Sequence, residues 1–202
     1  MPITLPTSPF VQATPRFVHF ATKHQPILGG EEQQINRAGS RFSLDVELSP
    51  RLYEQIGAAG AMTWISKLNQ AMADEALFRF PQPGLNIANS GTPRVNGAGQ
   101  GGTFLNADGF AANWAWRDGQ YFNIIHGGNR YLHHWTSNGA ASASGVANAM
   151  PIFPLLRISP DDNALIDAAT PMIQGKISGD ANEWTIDRLR RVGISFMIVE
   201  KR

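Results

Sequence analysis

Residues 41–48 alternate without a break: Phe42, Leu44, Val46 and Leu48 are apolar, while Arg41, Ser43, Asp45 and Glu47 are polar. Successive side chains of a strand point to opposite faces, so this segment predicts a strand with one face on a core and one charged face. The same period returns near the end of the chain, where Ile194, Phe196 and Ile198 alternate with Ser195, Met197 and Val199. Between the two, Leu52, Ile56, Ala59, Met62, Ile65, Leu68 and Met72 advance by threes and fours. That spacing predicts a helix over about residues 50–73 with one apolar stripe, started by Ser49-Pro50. Gly57 and Gly60 inside it mark either close packing against another backbone or a bend.

The remaining pattern is shorter and broken by turn formers. Pro2, Pro6 and Pro9 exclude a helix from residues 1–13 and predict an extended arm, lying on a neighbouring subunit or free. A strand over 14–21, a turn at Gly29-Gly30 and residues 33–36 make a first hairpin, and 77–80 form a short strand. Residues 81–102, rich in Pro, Gly and Asn, read as a linker or long loop. Beyond it, strands at 103–105, 113–116, 121–125 and 130–135 are separated by Asp108-Gly109, Asp118-Gly119 and Gly127-Gly128-Asn129. Such close spacing predicts a small barrel or sandwich. Residues 137–149, almost wholly Ser, Asn, Ala and Gly, read as an exposed loop unable to form a core. Apolar character resumes over 151–158, Asp161-Asp162-Asn163 turns, and 171–178 give another strand before Gly179-Asp180.

The first region supplies few strands of its own, so the C-terminal strand is expected to complete its sheet. The resulting organisation is an arm (1–13), a discontinuous domain of β-sheet plus helix (14–83 and 179–202) and an inserted β domain (84–178). The fold class is mainly β with one principal α-helix, the insertion being a small β-barrel or sandwich.

Composition narrows the function. The 17 Lys+Arg and 16 Asp+Glu leave a net charge of +1, which offers no field to gather nucleic acid or anionic lipid. Sequence-specific nucleic-acid binding and membrane binding are not expected. With no cysteine there is no disulfide, thiol nucleophile or thiolate metal site. No segment reaches the roughly 18 apolar residues that a membrane helix needs, and the N-terminus lacks a basic start followed by an apolar stretch. A protein soluble where it is made is therefore expected.

Candidate chemistry is sparse. Gly97, Gly99 and Gly102 satisfy a G-x-G-x-x-G spacing, but the residues after them, Thr103-Phe104-Leu105, favour a strand over the helix a dinucleotide site requires. His126, His133 and His134 gather near a turn with Asp118, yet His133 and His134 point to opposite faces of a strand and do not readily share one ion. No nucleophile elbow, zinc-helix motif or phosphate loop occurs. No enzyme is expected, and no catalytic, cofactor or metal residue is assigned. Trp114 and Trp116 share a strand face and either stack on sugars or fill a barrel interior. The run Asp187-Arg188-Leu189-Arg190-Arg191 reads as a solvated turn or a salt-bridging contact.

Taken in order, Asn36-Arg37-Ala38-Gly39-Ser40-Arg41-Phe42, the helix around Trp64, and Phe78-Arg79-Phe80-Pro81-Gln82-Pro83 resemble phage tail structural proteins. The segment from Thr92-Pro93-Arg94 through Gly101-Gly102, then Arg117-Asp118-Gly119-Gln120-Tyr121-Phe122, Tyr131-Leu132-His133 and Pro154-Leu155-Leu156-Arg157, continues the likeness over about residues 35–200. Within that group the architecture is similar to the distal tail protein family of tailed bacteriophages. The resemblance implies a tail-tube-like β-sandwich with a flanking helix, no catalytic residues and a sixfold ring. It further implies a virion protein of the tail tip, assembled in the host bacterial cytoplasm, that joins the tail tube protein to hub, baseplate or fibre proteins around a channel for DNA. The charged strand face, Arg41, Asp45 and Glu47, is the candidate subunit interface. The alternative is a carbohydrate-binding module for host-surface recognition, using Trp114 and Trp116.

Overall fold

The computed structural model describes residues 1–7, 10–25, 27, 29–55, 57 and 60–201. The chain opens with β1 (Ile3–Thr4), β2 (Phe10–Val18), the hairpin strands β3 (Ala21–His24) and β4 (Gln33–Asn36), β5 (Arg41–Leu48) and β6 (Arg51–Leu52). Helix α1 (Ala61–Ala73) and β7 (Ala76–Arg79) follow. Then come β8 (Gly91–Val95), β9 (Phe104–Phe110), β10 (Ala115–Trp116), β11 (Tyr121–His126), β12 (Asn129–Trp135), β13 (Gly139–Ala140), β14 (Ala147–Phe153) and β15 (Leu165–Asp167). The chain closes with β16 (Met172–Ile177), β17 (Trp184–Ile186) and β18 (Arg191–Glu200).

Two bodies result. The first is a sheet in the order β1-β7-β16-β18-β5-β2, extended by β17 and β6 on β18. The alternating segments at the two ends of the chain are neighbours in it, with Ser195, Met197 and Val199 opposite Glu47, Asp45 and Ser43. Their apolar residues form one face, and α1 covers it with Ala61, Trp64, Leu68 and Ala71. Trp64 meets Phe78 and Phe196 there, with ring centroids 6.3 and 6.0 Å away. The second body is a closed barrel, β11-β12-β14-β9-β8-β15, filled by Phe122, Trp135, Leu105, Met150 and Ile152 among others. The mainly β class, with a single helix among the described residues and a small barrel, is thus observed. Strand β16, within the span read as inserted, pairs with β7 and β18 of the large sheet. Residues Ile3–Thr4 of the arm lie parallel to β7, and Leu5 behind them is buried.

Five expectations need correction. Residues 14–18 lie in β2 and pair with β5, so the first hairpin joins Ala21–His24 to Gln33–Asn36. Asp108-Gly109, expected as a turn between strands, lies inside β9. The helix starts at Ala61, about eleven residues late, and Arg51–Leu52 form a strand instead. Gly57 has φ +77°, a left-handed conformation incompatible with a helix, and a Cβ on Gly60 would sit 1.4 Å from the Gln55 carbonyl oxygen. The buried stripe runs through Ala61, Trp64, Leu68 and Ala71, leaving Met62 exposed; Ile56 and Ala59 of the expected stripe lie outside the described residues. Residues 81–102 contain β8, which closes the barrel between β15 and β9. Residues 137–149 contain β13 and the start of β14, with Ala141 and Ala147 buried.

The Gly60 contact is testable. Gly60→Ala is expected to lower stability by about 1–3 kcal/mol, because backbone cannot yield as a side-chain tip can. Gly101→Ala, whose new methyl meets open space, is expected to stay within about 0.5 kcal/mol. Equal melting temperatures for the two variants would refute this account of the helix start.

Candidate interaction surfaces

The sheet and barrel are locked by side chains that imitate a β-ladder. Asn123 of β11 donates from Nδ2 to the Met172 carbonyl at 2.8 Å and accepts from the Met172 N–H at 2.6 Å. Gln82 accepts from the Tyr121 N–H at 2.8 Å, and Gln174 accepts from the Arg130 N–H at 2.9 Å. A side-chain amide offers the same donor and acceptor as a peptide, so two bodies whose strands do not pair are still bonded at backbone spacing.

Glu200 is the centre of this junction. Its carboxylate is buried, accepts from the Phe42 N–H of the sheet at 3.0 Å and from the Leu132 N–H of the barrel at 2.8 Å, and pairs with Arg157. Arg157 in turn donates to the Lys201 carbonyl at 2.8 Å and lies over the Tyr131 ring. Burial pushes the Glu200 carboxyl up from the ordinary carboxylate range, against the pull of Arg157 and the two N–H donors. Sequence reading missed this residue. The signal was present: Glu200 continues the phase of Phe196 and Ile198, so the alternation places a charge on the apolar face.

The charged face of β5 lies on the opposite side of the sheet from α1. Glu47 is exposed and Arg41 and Asp45 are partly so; Asp45 pairs with Arg16 of β2 at 3.4 Å, and Arg41 lies over the Phe20 ring. Thr14 and Met197 flank Asp45 in the ladders on either side. The geometry suits contact with a second macromolecule: a solvent-reached strand face carrying both signs of charge. Strand β2 is the last in the sheet order, so its outer side carries backbone groups without a strand partner among the described residues.

The aromatic residues fill the barrel. Trp116 is 7% exposed, and Gly139 lets its indole lie against the backbone, since a Cβ there would come within 2.4 Å of the ring. Trp114 is half-buried, stacks on Phe110 at 5.2 Å and 9°, and donates to the Ala88 carbonyl at 3.3 Å. Trp135 joins both rings to Phe122. The two tryptophans come together as parts of the barrel packing, and Trp116 offers no open ring face.

The histidines diverge. His133 is buried and donates from Nδ1 to the Pro154 carbonyl at 2.9 Å; burial, then the nearby Arg157, depress its pKa to about 3. His134 stacks edge-on to Tyr121, and His126 meets Asp161 at 3.2 Å. Among the described residues no group of three His, Cys, Asp or Glu could hold a metal ion. The glycine loop is closed by Gln100, which donates to the Asn96, Gly97 and Asn106 carbonyls and accepts from the Asn106 N–H. It leads into β9, a strand. No helix among the described residues is long and apolar enough to cross a membrane.

No protein-family model matches the chain, and no curated protein matches it.

Proposed function

We propose that the chain is a non-enzymatic structural subunit of a phage tail tip. Copies assemble into a homo-oligomeric ring, a hexamer by the family resemblance, that joins the tail tube protein to hub, baseplate or fibre proteins and leaves a channel for DNA. The observation that carries this reading is the β2–β5 side of the large sheet. It combines a nine-residue edge strand, open on its outer side among the described residues, with the charged face of Arg41, Asp45 and Glu47. An edge strand offers unpaired backbone groups to another chain; Pro15 and the register shift between Phe10 and Gln12 restrict strand addition to part of β2, and a neighbouring subunit covering the rest fits the reading. A patch that binds a different patch on the next copy closes into a ring when the rotation permits. The rigid sheet–barrel junction supports the same reading, because a load-transmitting spacer needs fixed geometry between its two bodies.

The carbohydrate-binding alternative has weaker support, since Trp116 is buried and Trp114 is stacked on Phe110. Light scattering and electron microscopy of the purified protein test the ring. Annular particles with a mass several times the chain's 22.0 kDa are expected. A monomer at high concentration, both alone and mixed with tail proteins, would overturn the proposal.

A further inference from the structure

The hairpin β3–β4 buries almost nothing of its own. Every residue of the two strands is exposed except Ala21, and Ile27 and Ile35 are 101% and 58% exposed. The strands pair only with each other among the described residues. A two-stranded ribbon without a covering layer is marginal in water, so its exposed isoleucines call for a partner.

A second apolar surface lies at the other end of the sheet. Tyr53, Met62 and Ile65 on one side and the polar Ser66, Asn69 and Gln70 on the other line an open groove of about 470 Å³ along α1, and Asn182, two residues before β17, is bonded to Asn69. Beyond it Trp184, Ile186 and Leu189 are 39%, 57% and 65% exposed. The two surfaces sit at opposite ends of β5: the hairpin leaves before Arg41, and the groove follows Leu48. Eight residues of strand separate them by about 24 Å, so the hairpin of one chain starts well away from that chain's own groove.

Their charges are complementary. The hairpin span, residues 21–36, carries Glu31 and Glu32 against Lys23, while the turn beside the groove, residues 187–191, carries Arg188, Arg190 and Arg191 against Asp187. The internal pairs Lys23–Glu32 and Arg190–Glu54, at 3.1 and 3.8 Å, are solvent-exposed and weak enough to exchange. We infer that the β3–β4 hairpin of one copy docks in the Tyr53–Met62–Ile65 groove of the next, with Ile35 entering it and Glu31 and Glu32 facing the arginine turn. The inference rests on the ring reading and specifies which surfaces make its head-to-tail contact.

Charge reversal tests it. Arg188→Glu with Arg190→Glu, or Glu31→Lys with Glu32→Lys, is expected to weaken self-association at least about tenfold by sedimentation, because each leaves like charges facing across the contact. Mixing the two folded variants is expected to restore assembly, since each reversed surface then meets a complement. The chain has no cysteine, so Ile35→Cys and Met62→Cys provide a clean second readout. A mixture of these single-cysteine proteins should form a mixed disulfide dimer, and neither protein alone a homodimer. If the wild type assembles but charge reversal leaves it unchanged, or Ile35→Cys links to itself, the docking is wrong and the ring reading survives. If the wild type never assembles, both fall.

Discussion

Glu200→Ala is expected to cost about 3–5 kcal/mol of folding stability, since removing one partner of a buried ion pair leaves the other charge uncompensated. Arg157 has 5% of its side chain exposed and would lose its carboxylate, while the Phe42 and Leu132 N–H groups would lose their acceptor. Glu200→Gln keeps one acceptor oxygen and the volume, so a smaller loss is expected from it. The pairing with Arg157 is isolated by a double-mutant cycle with Arg157→Met, where a coupling above about 1 kcal/mol is expected. Equilibrium denaturation followed by tryptophan fluorescence reads both effects, and a Glu200→Ala midpoint equal to that of the wild type would remove Glu200 as the fastener.

Much of the sheet was legible because large apolar residues mark its phase. Residues 41–48 form a strand with the expected bounds, and Gln33–Asn36 and the strands around Tyr121–His126 and Asn129–Trp135 were also readable, whereas the partner expected for Gln33–Asn36, residues 14–21, mostly belongs to β2 and pairs with β5. What failed was carried by small residues and by backbone. Ala141 and Ala147 are buried yet carry too little side chain to distinguish a covered strand from a solvated loop. In β8 only Val95 supplies a large apolar side chain, and Gly91, Thr92 and Pro93 resemble a linker. The helix start depended on Gly57 taking a left-handed conformation, which a three-and-four periodicity extended through it cannot register. The interaction surfaces were only partly legible, because the pattern singles out a charged strand face but cannot say that a hairpin lacks a covering layer. Exposure is a property of tertiary arrangement, and Ile35 reads like any core isoleucine until its surroundings are known.

The junction also ties β18 to the barrel. Glu200 accepts from Leu132, 68 residues earlier, so this bond to the barrel forms only once β18 is in place, whereas Asn123 and Gln174 bond the barrel to β16 directly. A contact that loads the barrel is therefore transmitted into the central strands β16 and β18 and, through Phe17 on Phe153, into the edge strand β2. For a subunit held between other components, that is the mechanically useful arrangement.

The same junction makes the protein sensitive to acid. His133 packs near Phe122 and shares its pocket with Tyr131 and Arg157, and with its pKa down at about 3 it is neutral in the folded state at any ordinary pH. In the unfolded chain it titrates near 6.5, so below that pH the unfolded state binds a proton the folded state refuses. Stability from this group is fully present above about 6.5 and is lost as pH falls, by about 1.4 kcal/mol per unit until the folded value is reached. Glu200 acts in the opposite sense: with its carboxyl raised by burial, its contribution is full below about 4.5 and fades as pH rises through the folded value. The net slope mixes the two, and a substitution separates them. His133→Asn keeps a donor for the Pro154 carbonyl but cannot accept a proton, so the stability gap between it and the wild type should shrink by roughly 2–3 kcal/mol from pH 6.5 to pH 4.5. Denaturation midpoints measured across that interval give the answer, and a gap independent of pH would show that His133 is not held neutral by its burial.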